Sequence, residues 1–381
     1  MDLNEMRIKI DEIDSEITRL FQERMDVVSG VAEYKRQNNM PVLDAKRERE
    51  KLDAIAGAAR PEMEIHIRNL YNMIFELSRN YQSELNRTRT ELHDQVEHAI
   101  ENTQRLFPTS AMVACQGVEG AYSQIACQRL FKNPKIMYFN SFESVFSAIE
   151  SGFCQYGILP IENSSAGSVK KVYDLMLNHD FRIVRSVRIK IDHNLLAMPG
   201  VKKEDIKEIF SHEQALDQCA SYLEKLGPGV KITRCANTAM AAEAVAKSGR
   251  RDAAALASNS CAMLYGLKCL EADVQDRANN YTRFICISRN LEIYPGADRT
   301  SVMMTLPHQP GSLCKALMRF YSLGINIIKL ESRPIPAHDF QFMFYFDLET
   351  SVYSGEFSRM IDELEIISEE FKYLGSYSEV I

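Results

Sequence analysis

The apolar positions at the start of the chain repeat with helical spacing. Leu3, Met6, Ile10, Ile13, Ile17 and Leu20 lie three and four residues apart, and the stripe continues through Val27, Val28 and Val31 to about Gln37. This spacing predicts one unbroken helix, ended by Pro41. Asp44 is placed to cap a short second helix, and Pro61 suits the first turn of a third. The third keeps its own stripe through Ile65, Leu70, Ile74, Leu77 and Tyr81. Residues 1–90 therefore read as all-helical, and the charged stretch 91–110 as a helical linker.

At Ala111 the pattern changes. Short apolar runs such as Ala111–Cys115, Tyr156–Pro160 and Ala253–Ala257 alternate with helical stretches. Such alternation predicts an α/β segment with largely parallel strands. It runs over 111–290, long enough for two lobes. From 299 to 381 the order is strand (Thr300–Leu306), helix (Ser312–Leu323), strand (Asn326–Ser332), strand (Gln341–Glu349), helix (Glu356–Glu365), strand (Phe371–Tyr377). That βαββαβ order is the ferredoxin-like unit. The fold class is multi-domain: a helical bundle, a two-lobed α/β segment and a ferredoxin-like module.

Composition narrows the function classes. The chain has 381 residues, 45% hydrophobic and 25% charged, as in ordinary globular proteins. No apolar run approaches the roughly 18 residues of a membrane span. The N-terminus is acidic without an apolar signal region, which points to the cytoplasm rather than secretion. A net charge of −7 argues against a nucleic-acid partner. Nine cysteines with no C-x-x-C pair suggest reduced, mostly buried thiols rather than disulfides or a zinc ribbon.

Several polar residues fall where the helical stripe predicts core. Arg24, Val28, Val31 and Lys35 are spaced four, three and four, so Arg24 and Lys35 lie within about 20° on one face. Two cations on an apolar face cost free energy unless an anion pairs with them. Ser78 and Gln82 are i,i+4 neighbours, and Asp44, Arg47 and Glu48 cluster at the start of the second helix. Together these residues describe a wet, cation-rich pocket. With Arg7 added, the pattern resembles the all-helical chorismate mutases over residues 1 to about 87. The resemblance implies that Arg24, Arg47 and the partner subunit's Arg7 hold substrate carboxylates. Lys35 and Gln82 would donate to the ether oxygen, Glu48 and the backbone at Asp44 would receive the substrate hydroxyl, and Ser78 would line the carboxylate end. Chorismate rearranges to prephenate by a concerted [3,3] shift, which needs conformer selection and charge stabilisation but no cofactor. Arg7 and Lys35 are about 42 Å apart along one helix. If both serve one pocket, a second chain supplies Arg7, so a homodimer or homotetramer is expected.

In the α/β segment, Gly117-Val-Glu-Gly120-Ala-Tyr-Ser123 follows a strand and opens a helix. Its glycines can form a tight turn or let backbone N–H groups approach an anion. Pro160-Ile-Glu-Asn-Ser-Ser165 also follows a strand, where α/β folds place ligands. Ser211-His-Glu-Gln-Ala-Leu-Asp-Gln218 and Asn280-Tyr-Thr-Arg-Phe284 complete the set. In this order the four motifs resemble those of prephenate dehydratases over 111–290. The resemblance implies prephenate in the cleft between two lobes, with functional roles for Asn163, Ser211, Gln218 and Thr282. Thr282-Arg283-Phe284 is the essential motif, and Ser123, Ser165 and Thr238 are substrate binders. Arg283 can clamp a carboxylate. The reaction expels CO2 and the ring hydroxyl to give phenylpyruvate. The donor that protonates the departing oxygen is left open between Glu162 and His212.

In the last segment, Gly311-Ser312-Leu313 and Glu331-Ser332-Arg333-Pro334 resemble the two phenylalanine-contacting motifs of regulatory ACT domains. Ser312 stands where that pattern has Ala. The whole chain thus resembles the bifunctional chorismate mutase–prephenate dehydratase family, inhibited by phenylalanine and requiring no metal or nucleotide. Two alternatives stand beside it: a dehydratase with a helical segment kept for dimerisation, and a non-catalytic amino-acid sensor.

Overall fold

The computed structural model describes residues 2–85, 90–335 and 341–381. It divides into two compact units, in the main 2–93 and 94–381.

The first unit is helical. α1 (Leu3–Gln37) opens on a capping box in which Asp2 and Glu5 satisfy each other's backbone N–H. It ends before Asn39, which takes positive φ ahead of Pro41. α2 (Ala45–Gly57) is capped by Asp44, whose carboxylate accepts from the Arg47 N–H at 2.9 Å. A single turn, Pro61–Met63, leads into α3 (Glu64–Leu85). The buried set is small: Val28, Ala32, Ala56, Phe75, Ser78 and Gln82. Leu3, Ile10, Ile13 and Ile17 are each more than half exposed, so the described residues of the chain leave the N-terminal stripe of α1 uncovered.

α4 (Glu91–Asn102) carries the chain from the first unit into the second. Lobe A then takes β1 (Met112–Gln116), α5 (Tyr122–Leu130), β2 (Lys135–Phe139), α6 (Phe142–Glu150), β3 (Tyr156–Asn163), β4 (Gly167–Ser168), α7 (Lys170–Asn178) and β5 (Arg182–Lys190). The chain crosses to lobe B for β6 (Asn194–Ala197), β7 (Glu208–Ser211), α8 (Glu213–Gln218), α9 (Ala220–Leu226), β8 (Lys231–Arg234), α10 (Thr238–Ser248), β9 (Ala253–Ala257), α11 (Asn259–Tyr265) and β10 (Lys268–Glu271). It returns to lobe A as β11 (Tyr281–Ser288). Both sheets are mixed rather than largely parallel. In lobe A, β1 runs parallel to β2 and β3, while β11 is antiparallel to β3 and β5. In lobe B, β7 is parallel to β8 and β9, while β6 is antiparallel to β9 and β10. The crossing strands β6 and β11 account for the difference, because their direction is set by the path between lobes. The alanine-rich β9 is wholly buried and packs on the alanine face of α10, where small side chains let helix and sheet approach.

The C-terminal module is β12 (Arg299–Thr305), α12 (Ser312–Ser322), β13 (Asn326–Pro334), β14 (Phe342–Glu349), α13 (Gly355–Ile367) and β15 (Glu370–Tyr377). This is the βαββαβ order expected, with antiparallel sheet order β13-β14-β12-β15. The final strand, β16 (Glu379–Val380), leaves the module and pairs parallel with β5 of lobe A. Gly375 makes this approach possible. Its φ is +138°, and a Cβ there would stand 2.3 Å from the Ile183 carbonyl oxygen. Gly375→Ala is expected to destabilise the second unit by about 1–3 kcal/mol from backbone strain alone, with the clash added. A thermal unfolding scan showing an unchanged transition would refute this. Among the described residues no helix is long and apolar enough to cross a membrane.

Candidate active sites

In the helical unit, α1 and α3 bring the expected polar residues together. The half-buried Arg24 guanidinium donates to the Ser78 hydroxyl, which in turn donates to the Ile74 carbonyl at 2.6 Å. Burial holds Arg24 below its ordinary pKa, with Tyr71 and Glu48 opposing that drop. Gln82 is buried one turn further on. Its Nε2 donates to the Ser78 carbonyl at 3.3 Å, and its Oε1 has no partner. Lys35 donates from Nζ to the Val42 carbonyl at 2.5 Å, which places the ammonium at the loop between α1 and α2. Glu48 is held by Arg79, which also pairs with Glu76 at 2.6 Å. Burial opposes the charge of Arg79, but the two carboxylates raise its pKa. Arg79 is not among the residues that the sequence pattern singles out; its one local signal is the i,i+3 spacing from Glu76. Asp44 serves as the α2 cap. Arg47 is exposed. Arg7 is exposed near the far end of the same helix as Lys35, so one chain does not bring these two together.

In the second unit a cavity of about 470 Å³ opens between the lobes. From lobe A it is lined by Ser123, Phe142, Asn163, Thr282 and Phe284, and from lobe B by His212, Gln218, Asn237 and Thr238, with His193 at the crossing between them. Among the described residues, no Asp, Glu, Lys or Arg lines it. Helix N-termini line it instead, among them α5 at Tyr122–Ser123 and α10, where Asn237 caps the Met240 N–H at 2.8 Å. The positive ends of helix dipoles suit an anion. Ser165 lines an adjoining pocket of about 430 Å³ that shares Gln218.

Asn163 organises the floor of the cavity. Its Oδ1 accepts from the Ser165 and Ala166 backbone N–H groups at 3.0 and 2.8 Å. Its Nδ2 donates to the Thr282 hydroxyl oxygen at 2.9 Å and to Asn280 Oδ1 at 2.8 Å. Asn280 Nδ2 donates to Gln218 Oε1 at 2.9 Å, and the buried His193 Nε2 lies 2.9 Å from the same oxygen. Burial lowers the pKa of His193, the bond to Gln218 opposing. Nothing in the sequence pattern assigns His193 or Asn280 a functional role; the fold brings both to the cleft.

Arg283, Ser211 and Glu162 do not face the cavity. Arg283 points away from the cleft, because side chains alternate along β11 and it lies opposite Thr282 and Phe284. It is buried against the C-terminal module, paired with Asp347, 2.9 Å from the Tyr377 hydroxyl and 3.1 Å from Glu379. Burial opposes its charge, but Tyr377 and Asp347 raise its pKa. Ser211 is fully buried and donates to the Leu256 carbonyl at 2.8 Å, tying β7 to β9. Glu162 turns out of the cleft to Lys329 at 2.8 Å, which leaves His212 as the one of the two candidate proton donors that lines the cavity. The glycine loop is a turn rather than an anion cradle. Gly117 and Gly120 have positive φ, and the Gly120 N–H is taken by Gln124 at 2.6 Å.

In the C-terminal module, Gly311 takes positive φ at the N-cap of α12, with Ser312 and Leu313 in its first turn. Lys329, Glu331 and Arg333 alternate onto one face of β13. Ser168 donates to Glu331 at 2.6 Å and accepts from Lys329 at 2.7 Å, and Arg333 makes a two-point pair with Asp174 at 2.6 and 3.0 Å. Ser332 lies on the opposite face.

A family model for chorismate mutase type II matches residues 6–83, and one for prephenate dehydratase matches residues 113–292. The chain is 31% identical to a bifunctional chorismate mutase/prephenate dehydratase of Aquifex aeolicus, covering 100% of this chain and 99% of that protein. It is 39% identical to arogenate dehydratase/prephenate dehydratase 1 of Arabidopsis thaliana over 70% of this chain and 71% of that one. A solved prephenate dehydratase of Arthrobacter aurescens in complex with L-Phe is 28% identical and superposes with a TM-score of 0.65, covering 70% of this chain and 90% of that one.

Proposed function

We propose, for a chain that belongs to the bifunctional chorismate mutase/prephenate dehydratase family, that the residues just described divide its two reactions. The chain is both enzymes, converting chorismate to prephenate and prephenate to phenylpyruvate. In the helical unit, Arg24, Ser78 and Arg47 hold carboxylates, Lys35 and Gln82 act on the ether oxygen, and Glu48 takes the substrate hydroxyl beside the Asp44 backbone. The stripe of α1, uncovered by the described residues, supports a pocket completed by a second chain. Arg7→Ala and Lys35→Ala proteins, each inactive as mutases, are expected to regain partial activity when refolded together, because one site of the mixed dimer carries neither lesion. No recovery despite proven mixed dimers would refute a shared site.

In the cleft, prephenate meets hydroxyl and amide donors, imidazoles and helix ends rather than the fixed cations of lysine or arginine. This suits decarboxylation, since a carboxylate clamped by an ammonium or guanidinium would be stabilised in the ground state more than as its bond breaks. The C–C bond to the carboxylate breaks, its electron pair completes the aromatic ring, and the ring C–O bond expels the hydroxyl, which leaves as water after receiving a proton. Thr282 donates its hydrogen bond to that oxygen and His212 supplies the proton. The cleft has no carboxylate to pair with an ammonium among the described residues, which favours a keto acid over an amino acid as substrate. The observation that carries this reading is the Thr282 hydroxyl held by Asn163 at 2.9 Å inside the cleft. Following chorismate, prephenate and phenylpyruvate together with the purified chain tests it; prephenate that accumulates without turnover sinks the dehydratase assignment.

The C-terminal module reads as an ACT domain that takes phenylalanine between Gly311-Ser312-Leu313 and Glu331-Ser332-Arg333. The same strand grips β4 and α7 beside the Asn163 turn, which offers a route from ligand to cleft. Calorimetry on the full chain should register phenylalanine binding, and prephenate and phenylalanine should weaken each other equally. No heat of binding at millimolar ligand would leave a structural module only. The cysteines carry free thiols, most of them buried, in keeping with a reducing compartment such as the cytoplasm.

A further inference from the structure

The hydrogen bonds on the cleft floor have a direction that the backbone dictates. The Ser165 and Ala166 N–H groups can only donate, so the Asn163 atom they meet is its oxygen. Asn163 Nδ2 can then only donate, and its acceptors are Asn280 Oδ1 at 2.8 Å, Thr282 Oγ1 at 2.9 Å and, at 3.3 Å, the Tyr281 carbonyl. Asn280 therefore turns its NH2 toward Gln218, whose Oε1 accepts it. The His193 nitrogen 2.9 Å from that same oxygen must also donate. This fixes the imidazole as the Nε2–H tautomer and sets the Gln218 NH2 toward the cavity. At the other end, Thr282 Oγ1 has received a hydrogen bond, and its own proton is left for a ligand. His193 and Asn280 are almost fully buried, at 2% and 1% exposure, so water does not compete for these bonds.

We propose that His193 is a positioning residue for the dehydratase reaction, closing the hydrogen-bonded chain His193–Gln218–Asn280–Asn163–Thr282 so that the threonine hydroxyl is held against the departing oxygen. The inference rests on the dehydratase reading of the cleft. Its effect falls on turnover: without the Nε2–H donor, Gln218 loses one of two bonds, and the Asn280 amide seated between it and Asn163 loses its fixed place, while Asn163 keeps the orientation set by the backbone N–H groups. Misplacement of a catalytic group by even an ångström can cost about a hundredfold.

The test compares two amides that differ only in reach. His193→Gln extends an NH2 toward the place of Nε2, and His193→Asn stops short of it. His193→Gln is expected to keep kcat within about threefold of the parent, and His193→Asn to lose about tenfold or more with little change in KM. Equal activities in the two variants would overturn the proposal. In an Asn280→Ala background the chain is already cut, so His193→Asn should cost almost nothing further. Full additivity would make His193 independent of Thr282 and likewise overturn it. Thermal unfolding scans show that each variant is folded before rates are compared. Failure of the parent chain to consume prephenate would be failure of the dehydratase reading itself, separable from any difference between the variants.

Discussion

Lys35→Ala is expected to abolish chorismate mutase activity and leave the dehydratase rate within about twofold of the parent. The rearrangement has no nucleophile and no proton transfer, so the protein acts through geometry and through charge placed where the C–O bond breaks. On the proposed assignment, the contact of Lys35 Nζ with the Val42 carbonyl, two residues before the Asp44 cap, would present the ammonium for that role. A substrate oxygen would replace or share that contact. Removing a charge-assisted donor from a developing negative charge costs about 3–4 kcal/mol, or roughly a hundred- to a thousandfold in rate. The dehydratase cleft is built entirely from residues from Gln116 onward, so the same variant provides its own control. Parallel assays with chorismate and with prephenate decide the matter; mutase activity within threefold of the parent would remove Lys35 from the site.

What the sequence disclosed, and what it hid, follows from which forces are local. The ends of α1 and α2 were legible because Pro41 and Asp44 act on their own neighbours. The βαββαβ module was legible because strand and helix periods alternate cleanly there, and its elements fall within a few residues of expectation. Strand direction was not legible. β6 and β11 owe theirs to the crossing between lobes, which no local pattern records. The outward turn of Arg283 is legible in hindsight: Thr282 and Phe284 are two apart and share a face, so the residue between them had to turn away. Its partners Asp347 and Glu379 lie so far along the chain that only the fold reveals them. Ser211 ends a strand as cleft residues do, yet its hydroxyl is spent on a neighbouring strand's carbonyl. His193 gave no signal at all, and Asn280 only its place at the head of the Thr282 motif. A buried histidine in Asp192-His-Asn194 looks like any other polar residue until the partners of its ring are known.

Thr282→Ala should remove most dehydratase activity through kcat while KM stays within about twofold. Thr282 is buried, and its oxygen already accepts from Asn163. The hydroxyl therefore offers one proton and little else, a contact worth most when charge collects on the oxygen that leaves. An interaction made chiefly in the transition state lowers kcat and kcat/KM together. The expected loss is of the size seen for a single preorganised donor, about a hundred- to a thousandfold. Thr282→Ser retains the donor and should retain most of the rate. Mutase activity should be untouched in both, since Thr282 belongs to the other unit. Steady-state rates with prephenate distinguish the outcomes: a large rise in KM at unchanged kcat would make Thr282 a binding residue, and equal losses in the Ala and Ser variants would show that the methyl group, not the hydroxyl, is what the cleft requires.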